Sequence, residues 1–342
     1  MREVGPDRAG NTAAAAPAAA AGPTLRDLAA RHDLAFGTAV DLRALAGDQE
    51  YRERVAAQFD HVTAENAMKW DALAPARDRY DWGPADALVA FARANGQRVR
   101  GHTLVWHNQN PAWLADVPAD ELGAVLRHHV QTTVRRFRGA VWQWDVVNEA
   151  VEEDGSLRDT VWLRALGPGY VADAFRWAHE ADPDALLFYN DYEVEDVNAK
   201  SDGVHELVRE LRRRGVPIHG VGVQGHLKAG SPPRSMRENL GRFADLGLRT
   251  AVTEADVRVV VPADPAKLAA QAEGYRALLD ACLATPGCLS FTVWGYTDRY
   301  SWVPGWFEGE GTANILDENF AAKPAHRALR DGLSSGGAIR RD

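Results

Sequence analysis

Two glutamates stand at the ends of apolar runs. The stretch "VWQWDVVNEA" finishes with Asn148 and Glu149, and "LRTAVTEADVRV" carries Glu254, 105 residues further on (254 − 149). Val-rich and Trp-rich runs read as buried strands, and an anionic side chain is costly to bury. Two carboxylates flanking one bond are what glycoside hydrolysis requires. One donates a proton to the leaving oxygen; the other attacks the anomeric carbon or activates water. A proton donor keeps its proton beside an apolar wall or a nearby anion, and Val146 and Val147 before Glu149 suggest such a wall. In a strand Glu254 and Asp256 share a face, so a cationic partner is expected beside them. His226 is the candidate, in an Asp256–His226–Glu254 chain that keeps Glu254 ionised and aimed. Taken singly, each glutamate reads equally well as a solvated strand-end cap or a salt-bridge partner.

A metal site is the competing use of these residue types. Asp256, His226 and Glu254 have the donors for a cation, whereas His102 and His107 in "GHTLVWH" would face opposite ways in a continuing strand. There is no HExxH motif, Cys cluster, phosphate-binding Gly loop or GxSxG elbow. Neither a metal nor a cofactor is expected. The adjacent His128 and His129 lie in a helical pattern and read as solvated.

Eight apolar or β-branched runs must position these groups: 34–40, 59–66, 98–106, 141–149, 186–192, 219–226, 249–257 and 289–297. Helical periodicity separates them, as in "PADALVAFARANG" between Pro84 and Gly96 and in "NAKSDGVHELVRELRRRG" up to Gly215. Strands alternating with helices imply parallel pairing. An α/β fold follows, first a closed (β/α)8 TIM barrel and second an open doubly wound sheet. Polar residues gather at the C-terminal ends of the runs: Glu65, Asn66, His102, Asn148, Glu149, Asn190 to Tyr192, Gln224, His226, Glu254, Asp256, Trp294 and Tyr296. A barrel opens all those ends onto one face; an open sheet strings them along a crevice.

One catalytic domain is expected over 25–333, after an Ala/Pro-rich, disordered leader at 1–24 and before a tail at 334–342. The formal charge of −9 lacks the basic stripe of a nucleic-acid surface. No apolar run approaches the ~18 residues of a membrane span. The 11 Trp outnumber both the 8 Tyr and the 10 Phe, giving flat faces suited to sugar rings, though each Trp singly also reads as core. Cys282 and Cys288 flank a Thr-Pro-Gly turn signal. A disulfide, contributing about 2 kcal/mol, and a pair of free thiols both stay open. The leader makes a poor secretory segment, so the export route is open too.

In this order, "TAENAMKW", "VRGHTLVWHNQNPAW", "WDVVNEA", "FYNDY", "GVGVQGHL", "TEADV" and "FTVWGYTD" resemble the strand-end motifs of glycoside hydrolase family 10, the retaining endo-β-1,4-xylanases. The likeness runs from about Leu34 to Arg330, and the family's fold is the (β/α)8 barrel. By this resemblance Glu149 is the general acid/base, Glu254 the nucleophile, and His226 and Asp256 the pair that tunes it. Asn148 matches the amide that bonds the 2-hydroxyl of the cleaved sugar. Glu65, Asn66 and Lys69 match a polar cluster gripping the next glycone-side sugar. His102, Trp106, Gln109 and Gln224 match residues around the cleaved sugar. Trp294 and Trp302 match its aromatic walls, and Tyr192 an aglycone-side residue. The resemblance also implies a Cys282–Cys288 disulfide, with xylan and xylo-oligosaccharides as partners; a bridge points to an oxidising compartment, so an extracellular setting is expected, as is a monomer.

Three positions depart from the family pattern. Val303 follows Trp302 where Arg is usual, opening an unusual Gly-rich loop to Asn314. Ala255 stands where a larger apolar residue is common, and Glu193 where Asn is common. The rival readings are a cellulase or mixed-glucan enzyme, decided near Trp302, and a catalytically silent carbohydrate-binding barrel.

Overall fold

The structure is a computed structural model and describes residues 22–335. The expected leader up to residue 21 and the tail from residue 336 lie outside the described residues. Thr24, read as leader, caps the first helix, Leu25–Ala30, reciprocally with Asp27. The last helix, Pro324–Ser335, continues two residues past the expected domain end at 333.

Ten strands are present among the described residues: β1 (Ala35–Val40), β2 (His61–Ala64), β3 (Arg98–Val105), β4 (Val141–Asn148), β5 (Leu186–Asp191), β6 (Gly220–Val223), β7 (His226–Lys228), β8 (Arg249–Val260), β9 (Cys288–Val293) and β10 (Glu310–Gly311). β1 to β6, β8 and β9 pair in parallel, each with the next, and β9 returns to β1. That is a closed (β/α)8 barrel, and the open sheet is excluded. Helices cover its outer face, so both faces of each strand are buried and the strands read as near-continuous apolar runs. All six residues of β1 and all four of β2 are buried.

Local signals set the helices. Asn198 and Ser201 form a capping box for Ala199–Arg213, which ends just before Gly215 at φ 64°. Gly83–Ala94 carries Pro84 in its first turn and stops before Gly96 at φ 62°. The Cys282–Cys288 disulfide is formed, tying the end of Pro265–Leu283 to the start of β9.

Two expectations are corrected. The sixth run is not one strand: β6 stops at Val223, Gly225 turns the chain at φ 80°, and His226 opens the separate β7, which pairs with the outer part of β8. His129 is not solvated; it is buried and stacks on Trp70 at 3.8 Å, and burial lowers its pKa to about 3. Helix Leu122–Arg136 buries Leu122, Leu126, His129 and Thr133, so His129 falls on the inward stripe, while His128 is exposed.

The barrel interior is partly ionic. Arg100, fully buried, pairs with Asp145 and donates to Gln143 at 2.6 Å. Asp145 also meets His102 Nδ1 at 2.9 Å, so this pair forms the floor of the cleft above.

Candidate active site

Glu149 follows the last residue of β4 with φ 58°, a left-handed conformation that non-glycine residues adopt at a cost of about 1 kcal/mol or more. Its carboxyl group is met by N–H donors, not by the apolar wall that Val146 and Val147 suggested. Trp106 Nε1 donates to Oε2 at 2.7 Å; Gln224 Nε2 and Asn148 Nδ2 donate to Oε1 at 3.0 and 3.2 Å. Both valines are buried in the barrel, and the turned backbone carries Glu149 out of their company.

Glu254, on β8, is 4% exposed. Burial alone would raise its pKa, but His102, His226 and Asn190 lower it to about 2. Asn190 Nδ2 donates to Oε1 at 2.8 Å, and His226 Nε2 meets Oε2 at 3.2 Å. On its other side His226 Nδ1 lies 2.9 Å from Asp256 Oδ1. Burial would lower the imidazole's pKa, yet Asp256 and Glu254 together raise it to about 10. The Asp256–His226–Glu254 chain expected from the spacing is therefore formed, with a cation between two anions. Separation of β7 from β6 is what brings His226 level with Asp256 in the parallel register.

The two glutamates share one cleft through an amide network. Asn190 Nδ2 donates to Glu254 and, at 2.8 Å, to Asn148 Oδ1; Gln224 Nε2 donates to Asn148 Oδ1 at 3.3 Å as well as to Glu149. Gly222 makes this possible, since a Cβ there would lie 2.3 Å from Asn190 Oδ1.

The remaining expected residues join this network. Lys69 Nζ donates to Asn66 Oδ1 at 3.0 Å and to Gln109 Oε1 at 2.7 Å, and stands 5.1 Å from the centre of the Trp106 ring. Asn66 Nδ2 donates to Glu65 at 3.3 Å. Burial raises the Glu65 pKa to about 6, with Asp41 adding to the rise and Lys69 opposing it. Burial also lowers Lys69, against the pull of Glu254 and Glu65. Trp294 packs edge-on to His102, and Trp302 stands edge-on to His226 with its Nε1 donating to Asp256 Oδ2 at 2.7 Å. On the far side Tyr192 donates to Glu153 and accepts from Arg158, whose Nε holds the Glu149 carbonyl at 2.9 Å.

Several contributors escaped the sequence reading as site residues: Asn190, Asp145, Arg158 and His107, whose Nδ1 is 3.8 Å from Glu149. Asn190 sat in view at the end of an apolar run. Asp145 and Arg100 were legible only as charges inside apolar runs, a sign of an interior pair. His102, Asp145 and Glu254 hold potential ligand atoms within 4.8 Å of one another. Asp145, however, is already engaged by Arg100 and His102, and a protonated His226 offers no lone pair to a cation.

The Glycosyl hydrolase family 10 model matches residues 24–332. An endo-1,4-beta-xylanase of Agaricus bisporus is 45% identical over 303 residues, 87% of this chain and 91% of that protein. Endo-1,4-beta-xylanase B of Thermotoga neapolitana is 44% identical over 313 residues, 90% of each. The crystal structure of xylanase 10B from Thermotoga petrophila RKU-1 in complex with xylobiose superposes with a TM-score of 0.90 at 42% identity, covering 94% of this chain and 100% of that one.

Proposed function

The chain belongs to glycosyl hydrolase family 10, and from that premise we propose that this glycoside hydrolase is an endo-acting xylanase that works by double displacement. The observation that carries the reading is the linking of Glu149 to Glu254 in one cleft through the Asn148–Asn190–Gln224 network. Glu254, held ionised by His226 and His102, attacks the anomeric carbon while Glu149 passes its proton to the leaving oxygen. An ester between Glu254 and the glycone forms, and the aglycone departs. Glu149, now a carboxylate, takes a proton from water as that water attacks the same carbon and frees Glu254. Asn148 meets a 2-hydroxyl beside this carbon, and the Glu65, Asn66 and Lys69 cluster holds the preceding sugar.

Xylan is favoured over glucan by the wall beside the nucleophile. The Trp302 indole is held by Asp256 and by Phe307, edge-on with ring centres 5.7 Å apart, and a glucose hydroxymethyl group would need room against this wall. Val303, where the family pattern has Arg, is fully buried under this loop, so it presents no cation to the cleft. The same reading makes the described unit a monomeric catalytic domain. The disulfide supports an oxidising, extracellular setting.

Initial products from xylan, followed by anomeric proton signals before mutarotation, test this. The expected result is β-configured oligosaccharides with a rapid fall in viscosity, and a rate on carboxymethylcellulose lower by about 10-fold or more. α-Configured first products would replace double displacement by inversion, and equal rates on both polymers would remove the xylan assignment.

A further inference from the structure

Trp306 is 71% exposed, more than any other large apolar side chain among the described residues. The others above a third exposed are Val197, Val260 and Val261. Two of these three border the same loop: Val260 pairs with Glu310 in β10, and Val261 and Pro304 both approach Gly311. Exposed apolar side chains thus gather on one rim, where single scattered ones would need no explanation. The rim continues the cleft, because the Trp306 and Trp302 rings lie 6.2 Å apart and Trp302 stands over His226.

The loop backbone that carries this side chain is tied down on several sides. Trp306 sits on the short helix Val303–Trp306, whose Val303 is fully buried. Phe307 lies between Trp302 and the Arg258 guanidinium, 4.4 Å from its ring. Glu310 forms ion pairs with Arg258 and Lys228, each at 2.6 Å, and Val261 N bonds the Gly309 carbonyl at 3.0 Å. A backbone tied down in this way leaves less to be ordered when a ligand binds.

Resting on the xylanase reading, we propose that Trp306 is a sugar-binding residue. It extends the aromatic wall past Trp302 and takes the apolar face of a ring of the substrate outside the pair that flanks the cleaved bond. An indole offers that face and a single donor, the match for a sugar ring with apolar C–H faces and polar edges. The ring is either a further main-chain xylosyl unit or a branch sugar. Both present the same face to the indole, and different substrates tell them apart.

The test compares the whole enzyme with Trp306→Ala and Trp306→Phe on nitrophenyl β-xylobioside, linear xylohexaose and branched glucuronoarabinoxylan. The alanine variant should raise KM about 5- to 30-fold, with kcat nearly held, on substrates that reach the rim. That rise should exceed its effect on the nitrophenyl glycoside by fivefold or more, and phenylalanine should recover most of it. An effect on xylohexaose identifies a main-chain ring; one confined to the branched polymer identifies a branch. With the parent enzyme active, equal KM for parent and alanine variant on all three substrates overturns the proposal. So does a change of oligomeric state in sedimentation without a change in KM, which would make the rim a contact between copies. A parent enzyme inactive on all three defeats the xylanase reading itself, and this proposal with it.

Discussion

The Glu254 carboxylate and the His226 imidazole define each other's charge. Burial works against both ions, and only their closeness, with Asp256 behind and His102 beside, offsets it. The carboxylate is therefore ionised above about pH 2 and the imidazolium is retained up to about pH 10. Limbs of the pH–rate profile between those values must come from other groups. Replacing His226 by Gln removes the cation, so burial dominates and the Glu254 pKa rises. The acid limb of kcat/KM should then move to higher pH, with turnover at the optimum falling about 10- to 1,000-fold. Circular dichroism and Tm confirm that the variant is folded. A Glu254 pKa that stays in place, followed by carboxyl 13C NMR, would show that His226 does not tune this carboxylate. At this scale the sequence read well where charge spacing decided and poorly where backbone conformation did. The His226 chain followed from period-two spacing, whereas nothing in "DVVNEA" announces the positive φ that takes Glu149 away from its valines and toward Trp106.

Strand ends do the positioning, and their small residues are as consequential as their polar ones. Gly222 in β6 lets the Asn190 side chain cross to both Asn148 and Glu254, with Thr253 donating to Asn190 Oδ1 at 2.7 Å from the neighbouring strand. Gly222→Ala would set a methyl 2.3 Å from Asn190 Oδ1 and 2.8 Å from Thr253 Cγ2, so the amide must move. The expected outcome is a loss of about 1–3 kcal/mol of stability and a larger fractional loss of kcat than of Tm, read from kinetics and thermal melts on the same sample. A variant with parent-like kcat would show that the amide link is not needed. The eight runs were legible because a strand buried on both faces is apolar throughout. The break between β6 and β7 was not, because "HGVGVQGH" carries the same composition on either side of Gly225. His129 was misread for a related reason: its partner Trp70 is far away in sequence, and the stacking that makes its burial tolerable cannot be seen from the helix alone.

For the whole molecule, barrel closure turns strand ends scattered over the chain into one site. Glu149 follows β4 and Glu254 lies on β8, with β5 and β6 between them, so neither has the other's company until the sheet closes. The ordering of polar C-terminal ends carried this much in the sequence. The interior pair of Arg100 and Asp145, which supports His102 from below, lies on the neighbouring strands β3 and β4, so the sequence offers only two charges inside apolar runs and the structure pairs them. The proposed double displacement requires a covalent intermediate on Glu254. Trapping it tests the account most directly: the enzyme is treated with a 2-deoxy-2-fluoro-β-xylobioside bearing a good leaving group, then weighed intact and mapped by peptide mass spectrometry. The account predicts one added fluoroxylobiosyl group per chain, on the peptide containing Glu254, with activity lost in step. Inactivation with the sugar on any other residue, or turnover with no adduct and inverted products, would contradict it.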